Sequence, residues 1–145
     1  MRRWQALALV AWFGCAPTWA PVGPMLLEGR DNDLAATSKY RSKELRLTGV
    51  VVSTGQKKIE HGSGRTEDRW VESPAMEADV PYPFVQLRDA EHPSQDVLVC
   101  YFTDGELQAT KLTPGATARV RGFFLQYSVT GGHMEAVLNH CSLDP

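Results

Sequence analysis

Hydrophobic and polar residues alternate with a period of two along much of the chain, and this pattern predicts β-strands. Asp96–Phe102 is the exception, because it is continuously apolar and both of its faces are expected to be covered. The turn signal Gly131-Gly132 precedes the last stretch. The pattern predicts five strands: Glu44–Ser53, Pro83–Asp89, Asp96–Phe102, Gly115–Phe124 and His133–Leu143.

Two short helices accompany these strands. Asn32 or Asp33 can cap a helix that ends at Tyr40, with Leu34 and Tyr40 packing inward. A second helical turn is expected within 103–115, and residues 54–82 are expected to form a long loop. Five strands with a helix between the third and the fourth predict an all-β fold, the five-stranded Greek-key barrel known as the OB-fold. Closing such a small sheet removes its exposed edges.

The first residues resemble an export signal. A short basic start is followed by an apolar run over 4–13, which is too short to span a bilayer. Cleavage before Cys15 leaves Gly14 at the preceding position, so the stretch resembles a lipoprotein signal in which Cys15 is acylated. The alternatives are a plain secretory signal and a buried helix. We therefore expect a signal peptide over 1–15, a Pro- and Gly-rich linker over 16–32 and the folded domain over 33–145.

Several stretches, taken in order, resemble the bacterial tRNA-anticodon-binding-like OB-fold family: KYRSKELRLTGVVVS, FVQL, VCYF, LTPGATARVRG and VLNHCSL. The resemblance covers about 33–143 and departs from the family in the long segment 54–82. It implies the OB-fold, and a small domain that stands behind a signal peptide or in a lipoprotein. The family name records a similarity of fold to anticodon-binding domains and implies no RNA binding.

In an OB-fold the third and fifth strands are parallel neighbours, so Cys100 and Cys141 would lie close enough for a disulfide. Disulfides persist outside the cytoplasm. The alternative is two buried free thiols. The pairing leaves Cys15 as the odd cysteine, to be acylated or removed with the leader. We expect no metal site, because neighbours such as His140 and Cys141 point to opposite faces of a strand.

Composition and charge narrow the range of functions that this chain is expected to have. Hydrophobic residues make up 43% and charged residues 22% of the 145 residues, which is an ordinary globular balance, and the net charge is −2. Removal of Arg2 and Arg3 with the leader leaves 13 basic against 17 acidic residues, so no global field attracts a polyanion. A local basic surface with interleaved aromatic rings is the chemistry of single-strand binding. Its candidate residues are Lys57, Lys58, Arg65, Arg69, Trp70, Arg119, Arg121 and Tyr101.

The sequence contains no phosphate loop, nucleophile elbow or metalloprotease motif, so we expect no enzyme activity and no cofactor. The prediction is an exported binding module of the cell envelope, held to a membrane if Cys15 is acylated. Its partner would be an envelope protein, a peptide or a small ligand. The alternative is an oligonucleotide or another polyanion bound by the basic stretch 57–70, whose charge the acidic residues that follow largely offset.

Overall fold

The computed structural model of the chain describes residues 18–58, 81–92, 94–103 and 110–144. This part of the chain is mostly β. Its elements, in chain order, are β1 (Ala20–Pro21), α1 (Val22–Asp31), α2 (Asp33–Tyr40), β2 (Glu44–Lys58), β3 (Pro81–Arg88), β4 (Val97–Tyr101), β5 (Thr117–Thr130) and β6 (His133–Asp144).

The six strands form one mixed sheet in the order β1-β2-β3-β4-β6-β5, and β2 also pairs with β5. Two of the pairings, β1 with β2 and β4 with β6, are parallel, and the others are antiparallel. The strand β2 pairs with β5 from Glu44 to Val50 and with β3 from Val50 onward. Gly49 stands at this change of partner, where an added Cβ would lie 2.8 Å from the backbone oxygen of Arg88. All five predicted strands are present.

The main hydrophobic core lies between the inner face of the sheet and the first helix. From α1, Val22, Met25 and Leu26 enter this core and are almost completely buried. The sheet contributes buried side chains from all five long strands, and these are Leu47, Val51, Val85, Leu87, Leu98, Cys100, Ala118, Val120, Phe124, Ala136, Leu138 and Cys141.

The linker predicted over 16–32 is wrong for 22–31, which form α1. Pro24 lies in the first turn of this helix, where a backbone N–H has no helical partner in any case. Gly29 packs so closely on Tyr127 that an added Cβ would lie 2.3 Å from its ring. Pro24 and Gly29 are therefore compatible with a helix that packs on the sheet. The folded domain begins well before residue 33.

The second helix has the predicted bounds, Asp33–Tyr40. The side chain of Asn32 caps it by accepting a hydrogen bond of 3.0 Å from the backbone N–H of Ala35. Tyr40 packs against the core as predicted, whereas Leu34 is 63% exposed and the prediction that it packs inward is wrong. The buried residue of this helix is Ala36, because so short a helix presents only one narrow stripe to the core.

The loop predicted over 54–82 is shorter than expected, because both of its ends belong to strands. The strands β2 and β3 stay paired as far as Lys58 and Pro81. The proposed signal peptide over 1–15 lies outside the described residues. So does most of the helical turn predicted between the third and fourth strands, since 104–109 are not described.

The predicted disulfide between Cys100 and Cys141 is present, with a Cα–Cα distance of 5.9 Å. It joins the parallel strands β4 and β6, whose register places Cys100 beside Leu138.

The strand β6 contains a bulge between Leu138 and Ser142, in which His140 and Cys141 stand opposite the single residue Gly122 of β5. His140 has a φ of +48°, the left-handed conformation that such a bulge uses. The extra residue changes which residues of β6 point inward, so the side chain of Cys141 enters the core.

Replacing both cysteines by serine is expected to lower the free energy of unfolding by about 4 kcal/mol, because the bridge closes a long loop of the unfolded chain. The sequence separation of the two cysteines is 41 residues. Equilibrium denaturation of the oxidised and doubly substituted chains measures the difference. Two thiols that react with Ellman's reagent in the unreduced protein would contradict the bond itself.

Candidate anion-binding face

The strand β5 places two arginines on the outer face of the sheet. Its residues alternate, so Ala118 and Val120 are buried in the core while Arg119 and Arg121 are exposed to solvent. The predicted residues Arg119 and Arg121 therefore lie on one surface, two positions apart along a single strand.

A third arginine joins them from the neighbouring strand. In the β2–β5 register, Arg46 stands directly opposite Arg121, and Thr48 stands opposite Arg119. Like charges directly opposite each other on a sheet destabilise it. Such local violations of folding preference are expected at functional sites. We call the surface formed by Arg46, Arg119 and Arg121 the arginine face.

Each guanidinium of the arginine face has a different neighbour. Arg46 Nε lies 3.8 Å from a carboxylate oxygen of Glu44. Arg121 Nε donates a hydrogen bond of 2.7 Å to the hydroxyl of Ser142, and the guanidinium carbon of Arg119 lies 5.9 Å from the centre of the Trp19 ring. Among the described residues, no carboxylate oxygen lies within 4.0 Å of Arg119 or Arg121. Most of their N–H donors therefore remain available for a ligand.

This arrangement suits an anionic ligand. A guanidinium presents a planar set of five donors that matches the oxygens of phosphate and carboxylate groups. Trp19 adds an aromatic ring next to Arg119, and Phe123 continues the row of outward residues on β5 with 40% of its side chain exposed. A groove of about 340 Å³ adjoins Arg46, and its lining residues are Thr18, Ala20, Pro21, Pro24, Met25, Tyr40, Glu44, Leu45, Arg46 and Leu47.

Tyr101 was predicted to extend the ligand surface, and the structure corrects this, because its side chain is only 7% exposed. It belongs to a second hydrophobic cluster, which lies outside the main core and also contains Tyr82, Val99 and Val137. Its ring centre lies 6.3 Å from that of Phe84. Burial, followed by the nearby charge of Glu135, raises its pKa. A ring packed in this way offers no free face on which a base could stack.

The basic stretch predicted to bind lies elsewhere. Lys57 and Lys58 are at the far end of β2, where their backbone pairs with β3. Lys57 stands eleven positions after Arg46, which corresponds to about 35 Å along an extended strand. The predicted set is thus divided between two parts of the sheet. Arg65, Arg69 and Trp70, and also Cys15, lie outside the described residues.

Sequence reasoning missed two members of this surface, Arg46 and Trp19. The alternation of Leu45, Arg46 and Leu47 does indicate an outward arginine. Its position opposite Arg121 follows only from the register of β2 and β5. Trp19 was missed because it falls in the segment that was interpreted as a linker.

Two further properties concern the part of the chain that the structure describes. It contains no group of three or more histidine, cysteine, aspartate or glutamate side chains that could hold a metal ion. None of its helices combines the length and the apolar character that crossing a membrane requires. Cys141 is engaged in the disulfide and is therefore not available as a thiolate ligand.

The comparisons with known proteins support the fold. No family model matches the chain, and no curated protein matches it. The chain is similar to the crystal structure of a "putative nucleic acid-binding lipoprotein" from Klebsiella pneumoniae, with a TM-score of 0.60. The two sequences are 18% identical, and the match covers 88% of this chain and 92% of that chain. This likeness shows a related fold.

Relieving the repulsion within the arginine face is expected to stabilise the sheet. Arg46→Thr and Arg121→Thr should each raise the free energy of unfolding by about 0.5 kcal/mol at low salt, because like charges directly opposite cost a few tenths to one kcal/mol. The double variant should gain less than the sum of the two, because one repulsion is removed only once. Denaturation of all four proteins at low and high salt measures this coupling. Additive effects that do not change with salt would contradict it.

Proposed function

We propose that the chain is an exported, lipid-anchored OB-fold module of the cell envelope that binds anionic ligands through the arginine face. The observation that carries the proposal is the direct opposition of Arg46 and Arg121 on neighbouring strands, with Arg119 beside them. The fold maintains this cluster of positive charge although it destabilises the sheet. An anion that bridges the guanidiniums would remove the repulsion and gain charge-assisted hydrogen bonds.

Strand pairing supports the OB-fold part of the proposal. The five long strands pair in the order β2-β3-β4-β6-β5, and β5 pairs with β2 again. Numbered without the two-residue β1, this is the order 1-2-3-5-4-1, with the parallel contact between the third and fifth strands that the OB-fold interpretation predicted.

Three observations support export and anchoring. The chain begins with a basic stretch and an apolar run that end at Gly14 and Cys15. The structure contains a disulfide, a bond that persists in oxidising compartments. The Klebsiella protein of related fold is itself described as a lipoprotein.

The chemistry of the arginine face supports binding rather than catalysis. A guanidinium stays protonated at all physiological pH values, so it orients and neutralises anions but does not exchange protons with a substrate. Arg121 and Arg119 also stand on an open sheet surface that does not exclude water. We therefore propose that this chain is not an enzyme and needs no cofactor.

Nucleic acid is the second candidate ligand. The Klebsiella protein is described as a "putative nucleic acid-binding lipoprotein". An arginine next to a tryptophan can contact a phosphate and stack on a base. The basic stretch 57–70 could add to such binding. The described residues favour the more general proposal of an anionic ligand, because the arginine face presents three cations and only two aromatic rings, Trp19 and Phe123, stand beside it.

Retention on immobilised heparin tests anion binding by the full chain. We expect retention at low salt, and the Arg119→Gln/Arg121→Gln variant should elute at clearly lower salt, because each lost arginine removes about one released counterion. The control is Lys111→Gln, which removes one exposed cation at another place on the surface. Its neighbour Thr110 accepts a hydrogen bond from Thr54, which stands eight positions along β2 from Arg46. If the native chain is not retained, or if the control elutes as early as the double variant, the arginine face is not the anion site.

Metabolic labelling with a fatty acid tests the anchor. Cells that express the chain should incorporate label into it, and Cys15→Ala should abolish the label because the thiol is the attachment point. Globomycin, which blocks the lipoprotein signal peptidase, should cause a larger, uncleaved form to accumulate. An unlabelled, secreted native chain would support the plain secretory signal instead.

A further inference from the structure

The anchoring residue lies very close in sequence to the arginine face. Cys15 is separated from Thr18, the first residue that the structure describes, by only two residues. Three residue steps can span at most about 11 Å, whatever their conformation. Trp19 then contacts Arg119, and Ala20 pairs with Leu47 next to Arg46. An acyl group on Cys15 would therefore hold the arginine face close to the membrane surface.

We propose that the anion bound by the arginine face is the headgroup layer of the membrane that carries the anchor. This inference rests on the proposed function, since it requires both the acylation of Cys15 and an anion site formed by Arg46, Arg119 and Arg121. The short tether gives the lipid headgroups a very high effective concentration at the arginine face. The face would therefore be occupied even if it bound each single headgroup weakly.

Further positive charge stands next to the arginine face along the chain. Arg41 and Lys43 are both exposed and directly precede β2. The backbone oxygen of Lys43 accepts a hydrogen bond from the N–H of Phe124, which places it beside β5. Basic residues near an anionic bilayer each strengthen binding by about fivefold. Arg41, Lys43 and the three arginines of the arginine face make five basic residues. Glu44 and Asp144 are the two acidic residues set against them, so they reduce this positive charge without cancelling it.

The aromatic residues suit the same occupant. Trp19 lies over Arg119, and Phe123 is 40% exposed on the strand that carries both outer arginines. Tryptophan favours the depth of the lipid headgroups, where its ring is apolar and its N–H can reach water. One acyl anchor combined with a basic surface is a pair of signals that holds a protein stably on a membrane. The domain would thus lie on the bilayer in one orientation instead of moving freely on a tether.

Trp19 provides the probe for a test. Processing before Cys15 removes Trp4 and Trp12, so Trp70→Phe leaves Trp19 as the only tryptophan of the lipidated chain. This protein is reconstituted into vesicles of phosphatidylcholine, alone or with about a third phosphatidylglycerol. The vesicles contain lipids brominated near the headgroup, which quench tryptophan on contact. We expect at least twofold stronger quenching of Trp19 with phosphatidylglycerol, and a return to the phosphatidylcholine level at about 0.5 M salt.

Variants assign the effect to the arginine face. Arg119→Gln/Arg121→Gln should reduce quenching in phosphatidylglycerol vesicles to the phosphatidylcholine level, whereas Lys111→Gln should not change it. An unchanged near-ultraviolet circular dichroism spectrum verifies that each variant is folded. Equal quenching in both kinds of vesicle would overturn the lipid inference.

The heparin experiment separates this inference from the proposed function. Retention on heparin without an effect of phosphatidylglycerol leaves the proposed function standing and overturns the lipid inference. If the arginine substitutions abolish retention of an oligonucleotide but do not change Trp19 quenching, the ligand is nucleic acid and the lipid inference is wrong. If the native chain shows neither retention on heparin nor an effect of phosphatidylglycerol on Trp19 quenching, both proposals are overturned.

Discussion

The packing of α1 against the inner face of the sheet is the contact on which the rest of the structure depends. Its apolar residues complete the core, and polar contacts fix the helix at several points along its length. The hydroxyl of Tyr127 donates a hydrogen bond of 2.8 Å to the backbone oxygen of Met25, and Gly23 packs directly on the carboxylate of Asp89. Because the helix belongs to the core, the chain that precedes it emerges beside β2. The arginine face and Trp19 are neighbours for this reason.

The far end of α1 is held by a buried carboxylate that also contacts β6. Asp96 is buried just before β4, and it accepts hydrogen bonds from two nitrogens of Arg30 and from the backbone N–H of Met134 on β6. The hydrogen bond from the Arg30 guanidinium is the main reason why the pKa of Asp96 lies below its ordinary value. Such a group is costly to bury unless all of its partners are present. It therefore fixes α1 relative to the parallel pair of strands that also carries the disulfide.

The strands, α2 and the disulfide could be predicted because alternation, a capping asparagine and strand adjacency are local or topological signals. The helix α1 was missed although Val22, Met25, Leu26 and Gly29 follow the helical spacing i, i+3, i+4, i+7. Proline and glycine content outweighed that spacing in the sequence interpretation. The pairing of Arg46 with Arg121 could not be predicted, because register depends on where β2 changes partners. The burial of Tyr101 depends on which side chains share its face of the sheet, and alternation alone does not show what covers that face.

The bulge in β6 determines the direction of two side chains, Cys141 of the disulfide and Ser142, which contacts the arginine face. Ala136 and Leu138 point into the core, so uninterrupted alternation would point residues 140 and 142 inward as well. The extra residue at His140 reverses the alternation, so that odd-numbered residues point inward beyond it. The left-handed backbone conformation of His140 costs about 1–2 kcal/mol. Beyond the bulge, Cys141 points inward to the disulfide, and Ser142 points outward to accept a hydrogen bond from Arg121. Gly122 makes room for this geometry, since an added Cβ would lie 2.7 Å from the sulfur of Cys141. A change that removed the bulge would therefore affect the core and the arginine face together.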